Sequence, residues 1–153
     1  MSAEAKLIEL KLVLPPAPKA MGVYKSIVVV DKLVYTSGHG PLKADGTLIT
    51  GYVGTQLTID EGYMAARQTG LAILASLKAQ FGSLDKIARV VKIFGMVQCG
   101  HDFKDHPKVI NGCSELFRDV WGSDVGVGAR SAVGMGSLPA SIAVEIEAVF
   151  ELV

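Results

Sequence analysis

The chain is poor in the residues that staple, charge or anchor a protein. Two cysteines occur in 153 residues, and Cys99 and Cys113 are too few and too loosely placed for a disulfide framework or a zinc site. Cys113 falls on the apolar side of an expected helix, where a free thiol behaves as a small hydrophobe. A reducing, cytoplasmic setting fits both. Charge of one sign is also missing: 15 Lys and Arg balance 15 Asp and Glu, which removes the electrostatic case for nucleic acid or an anionic membrane as partner. No apolar run approaches the roughly 20 residues that span a bilayer. The first residues carry Glu4 and Glu9 among lysines and no apolar stretch before a small-residue cleavage site, so no signal peptide is expected.

Three further absences narrow the chemistry. His39, His101 and His106 share no helix face or ligand spacing with Cys or Asp, so neither a metal nor another cofactor is expected. His101 and His106 fall in a polar stretch and are expected to be solvated. The glycines at 126, 128, 134 and 136 stand outside any strand-turn-helix unit, and no Gly-Lys-Ser/Thr follows, which excludes dinucleotide and P-loop readings. No serine sits in a nucleophile elbow, so acyl-enzyme chemistry has no support.

What the chain does have is apolar surface. Half of its residues are hydrophobic and its mean hydropathy is +0.39. Without a membrane segment, that surplus points to a second buried surface, most simply a subunit interface. The length fits one domain over 1–153 with a core of its own, residues 1–20 forming an N-terminal extension and a linker that Pro15, Pro16 and Pro18 keep non-helical.

The pattern then predicts two strands, Ile27 to Val30 and Leu33 to Thr36, around an Asp31-Lys32 turn. Asp45-Gly46 marks another turn. Thr58 and Glu61 read as a capping box opening a long helix, whose buried stripe runs through Tyr63, Ala66, Gly70, Ile73 or Leu74, Leu77 and Phe81. Gly82 is its natural stop. A strand from about Ile87 to Val97 is apolar on both faces, with Val91 and Ile93 on one and Val90, Phe94 and Met96 on the other. A second helix is expected near Pro107, continuing through Asn111-Gly112 with Val109, Ile110, Cys113, Leu116, Phe117, Val120 and Trp121 buried. The order is strands, helix, strand, helix, two strands. It predicts an α+β sandwich with both helices on one face of a mixed sheet.

The closing segment carries the chemistry. Arg130 stands on one apparent strand, Leu138-Pro139 makes a turn, and the strand from Val144 alternates: Val144, Ile146, Ala148 and Phe150 face one way, Glu145, Glu147 and Glu151 the other. Were those strands adjacent, Arg130 would come within reach of a carboxylate across the ladder. A guanidinium fork suits a planar carboxylate, and a glutamate nearby can move a proton or a water. An ordinary interstrand ion pair would use the same residues.

With Arg130, Leu138-Pro139 and Glu145-Ile146-Glu147 at this spacing, the segment resembles the signature of the RidA/YjgF family of imine and enamine deaminases. Gly22 to Tyr24, Tyr35 to Gly38 followed by Pro41, and Val109 to Asn111 agree with it, so the likeness runs from about Tyr24 to the C-terminus. The form Ser37-Gly38-His39-Gly40-Pro41 resembles a less characterised branch. The resemblance implies a chorismate-mutase-like fold, a homotrimer and a cleft shared by two chains. It implies a hydrolase that converts 2-imino or enamine acids to 2-keto acids and ammonia, with a small carboxylate as substrate and no cofactor. Arg130 would clamp the substrate carboxylate and Glu145 would position the water. Tyr24 would be the cleft tyrosine, Gly38 and the backbone at Ala132 would contact substrate, Asn111 would lie near the cleft, and His39 would be a turn residue or a contact. Val23, in place of the family's usual proline, and Lys25-Ser26 depart from the pattern. Two other readings use the same scaffold: a non-catalytic trimer that binds small carboxylates, and an endoribonuclease, which zero net charge, few aromatics and the lack of a basic stripe oppose.

Overall fold

A computed structural model describes all 153 residues. Helix α1 (Ala3–Glu9) is followed by strands β1 (Ile27–Val30) and β2 (Leu33–Thr36), helix α2 (Ile59–Phe81), strand β3 (Ile87–Gln98), helices α3 (His106–Trp121) and α4 (Ser123–Gly126), and strands β4 (Ala129–Met135) and β5 (Val144–Leu152). The sheet order is β1-β2-β5-β3-β4. Only β3 and β4 run parallel, because α3 carries the chain back between them as a crossover.

The local signals act as their chemistry predicts. Thr58 accepts the Glu61 amide while Glu61 accepts the Thr58 amide, closing the capping box, and Gly82 ends α2 at a positive φ of 79°. β1 and β2 pair antiparallel around Asp31-Lys32. α3 does run through Asn111-Gly112, and Gly112 earns its place by contact: a Cβ there would overlap the Tyr63 carbonyl of α2. The two helices therefore meet backbone to side-chain-free backbone. Beneath them lies one core that includes Ile73, Leu77, Ile93, Phe117, Ile146 and Phe150. No helix is long and apolar enough to cross a membrane.

Four expectations change. β4 and β5 are not neighbours, because β3 pairs with both; the ladder contact between Arg130 and a β5 carboxylate does not form. The register of β3 against β5 shifts between Val90 and Lys92. This bulge carries Val90 to the helix side with Ile93, both buried, instead of grouping it with Phe94 and Met96. The N-terminal stretch is not a free extension. Ala3 and Leu7 are buried in the core, Asp85 accepts the Ala3 amide at 2.7 Å, and Glu4 pairs with Lys78 at 2.6 Å. Finally, His106 is not a solvated loop residue. It opens α3, its Nε2 lies 3.4 Å from Cys99 Sγ, and Phe103 packs edge-on against its ring.

Candidate active site

Arg130 sits on β4, an edge strand, at the level of Ile93 in β3. Ile93 faces the helices, and so does Arg130. Its Nη1 donates to Asn111 Oδ1 at 2.7 Å and to Ser114 Oγ at 3.1 Å. Both acceptors are neutral, and no carboxylate lies within ion-pair distance of the guanidinium. One amino nitrogen is thus anchored, and the remaining N–H groups of the fork are left for another acceptor. They border a cleft of about 270 Å³ between β4 and α3. Ala132 follows two residues along β4, level with Gly95, on the same side.

Glu145 occupies the other side of the sheet. It is level with Met96, and Glu147 with Phe94, whereas Ile146 between them is buried against the helices. Its carboxylate lies directly over Gly38, where a Cβ would collide with Oε1. Burial pushes the Glu145 carboxyl above the ordinary carboxylate range, and the nearby Glu147 pushes it the same way. Gly38 also borders a hollow of about 360 Å³ that Tyr24, Ser26 and Met21 line. The Tyr24 hydroxyl accepts the Met21 amide at 3.1 Å, and the ring is about half exposed.

The structure therefore sorts the expected residues into two groups. Arg130 and Asn111 border the β4–α3 cleft, with Ala132 on the same side of the sheet beyond it; Glu145, Gly38 and Tyr24 belong to the opposite region around the end of β2. One chain does not bring the groups together. His39 borders the same hollow as Gly38 and Tyr24, but its ring is held in the fold: Nδ1 donates to the Ser37 carbonyl at 2.7 Å, and Nε2 accepts from the Ser76 hydroxyl of α2 at 2.8 Å. Burial holds its pKa below the usual histidine value. Sequence reasoning missed Ser114, the second anchor of Arg130. Its signal was the three-residue step from Asn111, which places both on one helix face.

Residues 4–142 match the family described as YjgF/chorismate mutase-like, putative endoribonuclease. The chain belongs to this family. It is 38% identical over 148 residues to protein TCP17 of Trypanosoma cruzi, covering 97% of this chain and 92% of that one. Among solved structures, protein Atu1372 of Agrobacterium tumefaciens superposes with a TM-score of 0.90 at 37% identity, covering 99% of this chain and 92% of its own. The yjgF gene product of E. coli superposes at 0.64 with 26% identity, covering 88% and 92%. This YjgF-family chain thus follows the Agrobacterium protein more closely than the E. coli one.

Proposed function

We propose that this YjgF-family protein hydrolyses reactive 2-imino acids, or the enamines that tautomerise to them, in a site shared by two copies of the chain. The observation that carries the proposal is Arg130: a guanidinium on an edge strand, anchored by Asn111 and Ser114, with no acid partner of its own. Such a fork binds a carboxylate in two places and fixes its orientation. Water then adds to the imine carbon, the resulting carbinolamine collapses, ammonia leaves, and a 2-keto acid remains. Glu145 accepts the proton of the attacking water and returns it to the leaving nitrogen. Its raised affinity for a proton brings it nearer the working pH, as a general base requires.

A second copy supplies what one chain lacks. Since Arg130 and Glu145 occupy opposite sides of the sheet, the Arg130 of one protomer would meet the Glu145 and Tyr24 of its neighbour. The side of the sheet away from the helices supports such packing. It presents Val28, Val30, Leu33 and Tyr35, all exposed, on β1 and β2, and Phe94 and Met96 on β3, with Glu145 and Glu147 of β5 between them, and a trimer would cover it.

The test is a coupled assay in which an amino-acid oxidase generates imines from several amino acids and keto-acid release is followed with and without the protein. Faster release is expected. Release at the uncatalysed rate for every imine, with RNA cleaved at moderate salt by the wild type but not by Arg130→Ala, would replace the proposal with the nuclease that the family description names. Sedimentation equilibrium giving a monomer at micromolar concentration would remove the shared site.

A further inference from the structure

We infer that Arg118 is a second anion contact in the Arg130 cleft, and that the substrates favoured there are 2-imino dicarboxylates, such as the imines of aspartate and glutamate. The inference rests on the imine-hydrolase reading for its chemistry, but its geometry stands independently. Asn111, Ser114, Glu115 and Arg118 recur at steps of three and four along α3, so they form one stripe on the helix surface. All four border the cleft, together with Arg130. Arg118 is set four residues beyond Ser114, about 6 Å along the axis, a separation comparable to that between the two carboxylates of a five-carbon diacid.

The charges of the cleft favour a second anion. Two guanidiniums border it against one acid, Glu115, and that acid is already engaged: Tyr63 donates its hydroxyl to Glu115 Oε2 at 2.6 Å, from the α2 side. Arg118 is not locked either. Its contact is the adjacent Asp119 at 3.2 Å, with its side chain 47% exposed, and exposed pairs of this kind hold weakly. Asp119 has another cation near it, Arg67 at 4.0 Å, so Arg118 can turn toward a ligand without leaving Asp119 alone. The lining argues against a greasy substrate. Its apolar side chains are Ile93 and Val127; the rest is polar or glycine.

The experiment compares kcat/KM for imines generated from aspartate and glutamate with those from alanine and leucine, in wild type, Arg118→Gln and Arg118→Lys. Wild type should favour the dicarboxylic imines by about tenfold or more. Arg118→Gln should bring that ratio close to one, and Arg118→Lys should retain much of it, because charge alone supplies most of a single exposed contact. A wild-type ratio near one, or a ratio unchanged in Arg118→Gln, would overturn the inference. If no imine is turned over, the parent reading fails and the inference is decided by calorimetric titration with 2-oxoglutarate against 2-oxobutyrate. Tighter 2-oxoglutarate binding that Arg118→Gln abolishes would sustain it; equal binding of the two would overturn it.

Discussion

The Glu145 carboxylate rests on the bare Cα of Gly38, and no side chain fits between them. The contact links the end of β2 to β5 through a residue chosen for what it lacks. Gly38→Ala should therefore move the Glu145 side chain, whose outer atoms are the ones displaced, while leaving the backbone in place. Turnover should fall at least tenfold, with the melting temperature within a few degrees of wild type. Full activity in Gly38→Ala would show that the position of Glu145 is immaterial.

The binding role of Arg130 needs its fork. Arg130→Lys keeps the charge but loses the paired donors and the geometry that Asn111 and Ser114 fix. The expected result is a KM raised tenfold or more, or no measurable turnover, with thermal stability nearly unchanged. A variant that melts much earlier yet keeps its specific activity would make Arg130 a purely structural residue.

Glu145 and Glu147 share a side of β5 but are set apart by environment. Glu145 is half-buried over Gly38; Glu147 is exposed. Glu145→Gln should lower turnover by about 10²-fold, the scale of a lost general base, and Glu147→Gln by no more than a few-fold. Equal losses would mean that the pair acts as a unit. Stability gives an independent readout. Because the folded state raises the Glu145 pKa, its ionised form disfavours folding, an effect absent below the ordinary carboxylate range and present above it. Glu145→Gln should thus melt higher than wild type near pH 7, and the gain should vanish near pH 4.

His39 follows the opposite sign. Its pKa is lowered by burial from the usual 6.5, so the folded state prefers the neutral ring. Stability should be full above pH 6.5 and decline as pH falls below it, where the unfolded chain takes up a proton that the folded one resists. Chemical denaturation between pH 7.5 and 5 should show this loss in wild type and a flatter profile in His39→Gln. Identical profiles would mean that the ring titrates freely.

The sequence foretold elements better than neighbours. The capping box of α2, its glycine stop and the Asp31-Lys32 turn are local codes, each complete within a few residues, and each formed as read. Strand order is not local. β4 and β5 look like a hairpin because a turn joins them, yet the helix between β3 and β4 is the stronger sign: a strand, a helix and a strand make a parallel crossover, which fills the far side of β3 and leaves β5 to pair on the near side. The bulge at Val90 was equally hidden, since one extra residue resets which face every later side chain takes. The seven-residue α1 is too short to show a stripe, and only Ala3 and Leu7 tie it to the core. The site residues were named by resemblance, but their separation into two groups, and the inward turn of His39, depend on the sheet.

That separation has a genetic meaning. If each site joins the Arg130 of one protomer to the Glu145 of the next, as proposed, a chain lacking the arginine and a chain lacking the glutamate are each inactive alone but can repair one another. In a cyclic trimer, any mixture of the two kinds contains one interface where the intact arginine meets the intact glutamate. Random assembly from equal amounts of Arg130→Ala and Glu145→Gln chains would therefore restore about one site in four. Two defective alleles carried together would rescue a cell that neither rescues singly, and refolding the two purified variants as a mixture would regain activity that mixing them folded, without subunit exchange, would not.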